Sequence, residues 1–274
     1  MSVFLGSNQI GCVNLIQLQN INTDLEDNLI NKSISLYSNN EIFTIRSSAF
    51  YSCSNLTSVN FPNCSNIGEY AFVYCTNLVS INFPNCSYIE TRAFGSCSNL
   101  SSISFPNCTF IQDYAFGFCY KLTLADFPNC SYISMGAFAG CNDLTSVNFS
   151  SCTFIGGYAF ANCYNLTSIN SPNCSYIGEY AFYKCSNLTS VSFPVCNYIG
   201  NYAFNFCYNL LSLYLMGSSI PSLNNINAFY ATPISNYTTS TGGVYGSIYV
   251  PASLYNSYIT ATNWSDYSAR IVSV

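Results

Sequence analysis

The sequence predicts a mainly β solenoid, a right-handed superhelix of stacked 22-residue coils with short strands, closed by a C-terminal cap that contains a short helix. Three observations predict it. The dipeptide Ala-Phe recurs every 22 residues, without insertion, from Ala49-Phe50 to Ala203-Phe204. Fifteen of the 16 cysteines, from Cys53 to Cys207, recur every 11 residues, two per repeat. Charged side chains make up only 6 % of the 274 residues, whereas 50 % are apolar, so much of every repeat must turn inward. A period held without slippage from residue 49 to residue 207 does not arise around one globular core. It means like coils stacked along an axis.

Residues 1–44 precede the period and read as an N-terminal cap or tether segment, with strand-like Val3-Phe4-Leu5 and Cys12–Ile16 and an acidic cluster at Asp24, Glu26 and Asp27. The first residues show neither the basic residue nor the apolar run of a signal peptide. No window approaches the ~20 apolar residues of a membrane span, so no transmembrane segment is expected. Residues 45–216 are the regular repeats. In one of them, polar and apolar residues alternate from Ser80 to Phe83, which predicts a short strand with Ile81 and Phe83 inward. Pro84 lacks an amide hydrogen and ends the strand. Cys86 follows, a turn through Ser87-Tyr88 brings Ile89 inward, and Ala93, Phe94 and Cys97 lead to Leu100, which opens the next coil. Eight such coils at the strand spacing would span about 40 Å. Residues 217–274 are a degenerate last repeat, with Ala228-Phe229, and a C-terminal cap. There Ser247–Val250 reads as a strand, and Pro251 suits the first position of a helix. Leu254, Tyr255, Tyr258 and Ile259 follow at helical spacing, with Trp264, Tyr267 and Ile271 available to cover the last coil.

The repeat I-G-x-Y-A-F-x-x-C-x-N-L-T-S-V-x-F-P-N-C, read almost verbatim from Ile177 to Cys196, resembles the BspA-type leucine-rich repeat. The strand segment fits L-x-x-L-x-L-x-x-N/C, with Cys86 in the Asn/Cys position. Ile248–Leu254 and Thr262–Tyr267 are similar to the C-terminal cap of bacterial members, so the resemblance covers residues 45 to about 270. It implies a leucine-rich-repeat superhelix and a non-enzymatic binding protein, commonly a surface protein or adhesin of host-associated bacteria or protists. It also implies occurrence in prophage-encoded and virion-associated proteins. The expected function is therefore a binding or adhesion module whose partner is a protein or glycan on a cell surface. The alternative is a phage virion-associated structural or receptor-binding protein, which the missing leader favours. The expected location is extracellular, at the cell surface or on a virion.

Chemistry has little foothold. The chain has no histidine, and its acids, among them Glu69, Glu90, Asp113, Asp126, Asp143 and Glu179, scatter over different columns of the repeat. No catalytic residue and no cofactor are expected. A net charge of −5 excludes the basic footprint of a nucleic-acid partner. Metal sites use close pairs such as C-x-x-C, whereas ten residues separate these cysteines. Stacked coils would place equivalent cysteines at the ~4.8 Å strand spacing, a Cα separation that a disulfide spans. Their inward positions favour buried free thiols that pack as small hydrophobes.

The outward strand positions form the first candidate face. One column reads Ser58, Ser80, Ser102, Leu124, Ser146, Ser168, Ser190, Ser212, and the next Asn60, Asn82, Ser104, Asp126, Asn148, Asn170, Ser192, Tyr214. Short hydroxyls and amides there could bind a ligand, or could be strand-compatible residues repeated by duplication. The breaks in the pattern, Lys121, Leu124 and Asp126, lie in one coil. Two aromatic columns form the second candidate: Tyr88, Phe110, Tyr132, Phe154, Tyr176, Tyr198, and Tyr70, Tyr114, Tyr158, Tyr180, Tyr202. Their rings suit ligand stacking and interface anchoring, or stack on one another along the column. The expected binding residues are Ser80, Asn82, Ser102, Ser104, Lys121, Leu124, Asp126, Asn148 and Asn170, with Tyr88, Tyr132 and Tyr176. Asn-x-Ser/Thr sequons such as Asn63-Cys-Ser65 and Asn165-Leu-Thr167 arise automatically from the repeat.

Overall fold

Two parallel ladders run the length of a β solenoid. The computed structural model describes residues 34–37, 43–235 and 244–274. The strand-like segments at residues 3–5 and 12–16 and the acids at 24, 26 and 27 lie outside the described residues. The first ladder uses strands of three to five residues, Leu56–Asn60, Ser80–Asn82, Ser102–Ser104 and so on to Ser212–Tyr214. They pair in parallel one repeat apart, Ser80 opposite Ser58 and Ser146 opposite Leu124. Ile34–Tyr37 pairs with Leu56–Asn60 at the start, and Ser247–Val250 and Ile271–Ser273 extend the ladder past the regular coils. The ladder is divided into three sheets, with seams between Ser80–Asn82 and Ser102–Ser104 and between Ser146–Asn148 and Ser168–Asn170. The second ladder is unbroken: nine two-residue strands from Thr44–Ile45 to Ser222–Leu223, each ending in an inward Ile or Leu. The sequence had predicted a turn through Tyr88; a strand of two residues, Tyr88–Ile89, stands there instead.

The Ala-Phe segment makes the third side of each coil. Successive tight turns, closed by Ala71 N–H to Gly68 O and Val73 N–H to Tyr70 O, alternate with bonds to the next coil from Tyr70, Phe72 and Tyr74 N–H. Every amide of the segment is thereby used either within its coil or across to the neighbour. The geometry requires positive φ twice per coil, at Tyr70 (56°) and Tyr74 (61°) in one coil and at Gly136 and Gly140 in another. Non-glycine residues hold this conformation at a cost of order 1–2 kcal/mol, which the surrounding bonds offset.

Inside, Phe50, Phe72 and their equivalents to Phe229 stack nearly parallel, with centroids 4.8–5.4 Å apart. A second column, Phe61, Phe83, Phe105, Phe127 and Phe149, leans against it and is interrupted by Ser171 before Phe193. The leucines of the L-x-x-L positions are buried, and Ile81 and Val147 are half-buried where the first ladder has its seams. Close stacking explains the repeated Ile-Gly: a Cβ on Gly178 would meet Gly157 N of the preceding coil at 2.4 Å. At the C-terminal end Pro251 immediately precedes a single 3-10 turn, Ala252–Leu254, and a one-turn α-helix, Tyr255–Tyr258. Tyr258, Trp264, Tyr267 and Ile271 are buried over the last coil, Trp264 Nε1 donating to Pro221 O at 2.8 Å and the Tyr267 hydroxyl to Ile226 O.

Candidate functional site

Strand alternation decides which residues can meet a partner. Ser80, Asn82, Ser102, Ser104, Leu124, Asn148 and Asn170 are exposed on the first ladder, and Asp126 is half-buried among them. The central sheet, Ser102–Ser104, Leu124–Asp126 and Ser146–Asn148, brings several together. Asn148 Nδ2 donates to Asp126 Oδ1 at 2.8 Å and Ser104 Oγ to Asp126 Oδ2 at 3.1 Å. The carboxylate is thus held from both neighbouring coils while Leu124, 43 % exposed, stands two residues away with its side chain in water. In the preceding sheet Asn82 Nδ2 donates to Asn60 Oδ1 at 2.8 Å. Lys121 is exposed beyond Leu122, off the strand itself.

The aromatic column on the second ladder is a continuous stack. Tyr88, Phe110, Tyr132, Phe154, Tyr176 and Tyr198 lie with centroids 4.2–5.3 Å apart, and all are half-buried. Within such a column each ring's faces meet its neighbours, so edges and hydroxyls are what Tyr132 and Tyr176 offer outward. Gln112 Nε2 donates to the Tyr88 hydroxyl. The second column is discontinuous: Tyr158, Tyr180 and Tyr202 stack at 4.8 and 4.9 Å. Tyr114 instead lies over Gly136, where a Cβ would meet its ring at 2.4 Å. The Arg92 guanidinium sits 5.2 Å from that Tyr114 ring.

One aromatic group escaped the sequence reading, and a second was seen there only through Tyr214, the last residue of the outward column. At the Ala-Phe corner, Tyr183 meets Tyr180 and Phe206 edge-on at 5.5 and 5.7 Å, and Phe206 meets Tyr230 at 5.8 Å. On the first ladder Tyr214 stacks on Tyr249 at 4.7 Å beside exposed Leu211. The signal that could have found them is aperiodic: Tyr183 follows Gly95, Gly117, Ala139 and Ala161 at its position in the repeat, and Tyr214 follows Asn148, Asn170 and Ser192 at its own.

The fifteen described cysteines are buried thiols outside any disulfide. Burial pushes the Cys119 and Cys130 thiols up to about 12, which removes thiolate at neutral pH. The sequon asparagines Asn85, Asn107, Asn129 and Asn173 donate their side-chain amides to carbonyls of the preceding coil at 2.7–2.9 Å, so in the folded chain that nitrogen is already engaged. Glu90 likewise accepts from Asn66 Nδ2 at 2.9 Å and Glu69 N–H at 3.0 Å, bracing one coil against the next. Among the described residues no helix is long and apolar enough to cross a membrane.

The model of the BspA type leucine-rich repeat region matches the chain in six copies, over residues 26–141 and 109–235. A leucine-rich repeat protein of T. pallidum is similar in structure at 23 % identity, covering 73 % of this chain and 78 % of its own, with a TM-score of 0.38. A leucine-rich cell surface protein from Faecalibacterium prausnitzii A2-165 is 19 % identical over 88 % of this chain and 78 % of its own, with a TM-score of 0.38. The Drosophila Toll–Spatzle complex contains a chain 13 % identical over 89 % of this one and 34 % of its own, with a TM-score of 0.49. No curated protein matches. Solenoids of this kind are typically non-enzymatic scaffolds that present an extended surface to a ligand. With the family model spanning most of the regular coils, the chain belongs to the BspA-type leucine-rich repeat family.

Proposed function

We propose that this chain is a non-enzymatic adhesion module, acting outside the cell, that recognises a ligand on a cell surface through the exposed face of the first ladder. The observation that carries the reading is the break in that face at Leu124 and Asp126, in the middle of the regular coils. Seven of the eight coils present Ser at one outward position, and the remaining one presents Leu124, followed two residues later by Asp126, whose carboxylate Ser104 and Asn148 hold in place. Duplication alone leaves a uniform face. An exposed apolar side chain beside an oriented charge supplies the apolar anchor and polar rim of a recognition site.

Leu124→Ser and Asp126→Asn restore the residues of neighbouring repeats, so both variants should keep the melting temperature of the parent. Binding to intact bacterial or epithelial cells and to a glycan array is measured for all three proteins. At least a tenfold loss in both variants supports the face as the site. Unchanged binding refutes it. Capture of a phage coat or tail protein in place of any surface ligand would replace this reading with a virion component.

A further inference from the structure

The two cysteine columns have a chemistry that ligand recognition does not use. In the first column Cys75 Sγ donates to Phe50 O at 3.1 Å, and the same bond recurs in every later coil to Cys207 and Phe182 O. Phe50 O already accepts from Cys53 N–H in its own coil, so the next coil's thiol takes the carbonyl's remaining lone pair. In the second column Cys64, Cys86 and their equivalents to Cys196 donate within their own coil to the carbonyl two residues on, at 3.2–3.4 Å. One column ties coil to coil; the other closes the turn into the second ladder.

Each bond needs the thiol proton, and a disulfide has none. Linking two neighbours in a column would strip two donors from buried carbonyls and swing both sulfurs away from their acceptors. In the unfolded chain the nearest cysteines are 11 residues apart, a loop that closes readily. Such a pair always joins the first column to the second, a connection that the native coil does not make. Oxidation before folding therefore yields links that take a thiol donor from each column.

We propose that this solenoid forms only from the fully reduced chain and, once formed, shields its thiols from oxidation, so that the chain completes folding in a reducing environment before it meets an oxidising one. The oxidising step is ordinary exchange. A cysteine thiolate of the unfolded chain attacks glutathione disulfide and expels one glutathione thiolate. A second cysteine then attacks the mixed disulfide and expels the other. Two thiol protons pass to solvent, and two electrons pass from the cysteines to glutathione.

The full chain is unfolded in denaturant and refolded by dilution either with excess reductant or with glutathione disulfide. Recovery is followed by circular dichroism and Trp264 fluorescence. Native recovery in reductant alone is expected; equal recovery in both overturns the proposal. Native protein held in glutathione disulfide, then denatured without reductant and titrated with Ellman's reagent, should show at least the fifteen column thiols. A clear deficit overturns it. The donor role has its own readout: the Raman S–H band of the native protein should lie at lower wavenumber than that of the reduced, unfolded chain, and an unshifted band overturns that role.

Discussion

Replacing Ser171 with phenylalanine should stabilise the protein. The position belongs to the column that holds Phe61, Phe83, Phe105, Phe127, Phe149 and Phe193 in other coils, and Ser171 is fully buried with a hydroxyl that makes no hydrogen bond. The neighbouring column is intact there, Phe160 and Phe182 stacking at 5.4 Å, so the mould for a ring survives on that side. Removing an orphaned buried hydroxyl is worth about 1–3 kcal/mol. Burying a phenylalanine ring contributes about 2–3 kcal/mol, and incomplete room takes back about 1–3 kcal/mol. The net expectation is a gain of about 2 kcal/mol, or roughly 4–8 °C in melting temperature for a chain of this size. The first ladder also has a seam at this coil, and Ser150-Ser151 replace the usual Pro-Asn just before it. Amide exchange around residues 149–171 should therefore be faster than in the flanking coils and slow in Ser171→Phe. Thermal melts and exchange mass spectrometry read both. A Ser171→Phe protein at least 1 kcal/mol less stable than the parent would mean that the coils have already closed over the gap, and the mould argument fails. Phe127→Ser opens the same gap in an intact stretch and should cost about 3–5 kcal/mol.

Further outcomes follow from the same geometry. Gly178→Ala pushes a Cβ to 2.4 Å from Gly157 N and 2.6 Å from Gly156 C, both backbone, and should cost more than about 2 kcal/mol. Gly157→Ala, whose Cβ meets Glu179 O at 3.2 Å, should cost less than about 1 kcal/mol, so equal melts for the pair would contradict the stacking. Tyr132→Ala removes contacts to rings at 4.6 and 4.2 Å and should cost about 1–3 kcal/mol without loss of the fold, as urea denaturation would show. Alkali should unfold the chain. Burial raises the thiol of Cys119 from 9.0 to about 12, so above pH 9.0 the unfolded state loses protons that the native state keeps. The stability these thiols contribute is complete below that pH and falls above it, by at most about 1.4 kcal/mol per thiol per pH unit. With Cys130 and Cys196 raised alike, circular dichroism and thiolate absorbance should change together just above pH 9.0. Thiolate appearing while the fold persists would contradict the burial.

What the sequence shows of this fold depends on how many residues carry each signal. The inward positions were legible because duplication wrote them eight times: Ala71, Phe72, Cys75, Leu78 and Phe83 are all buried, as the spacing of 22 and 11 requires. The second ladder was not, because a strand of two residues, Tyr88–Ile89, has no alternation to read. The positive φ at Tyr70 and Tyr74 was hidden by residue type, since the usual glycine signal appears only at Gly136 and Gly140. The thiols were read as small hydrophobes, and their burial agrees. Their hydrogen bonds to Phe50 O and its equivalents depend on side-chain direction, which spacing alone does not carry.

The same duplication limits what the faces can say about a ligand. Identical coils at one spacing satisfy each other: Asn82 bonds Asn60, Asn85 bonds Pro62 O, and Tyr132 stacks between Phe110 and Phe154. A polar or aromatic column is therefore partly spent on its own neighbours before any partner arrives, and its length is no measure of its binding power. Specific recognition has to come from groups that the ladder does not saturate. On the first ladder these arise where the repeat is broken: Leu124 has lost the hydroxyl of its column, and Asp126 has gained a charge that its neighbours orient. Both lie in the central sheet between the two seams. Leu124→Ser and Asp126→Asn erase the break and leave every inward residue in place, so a loss of binding in these variants is a property of the face and not of the fold.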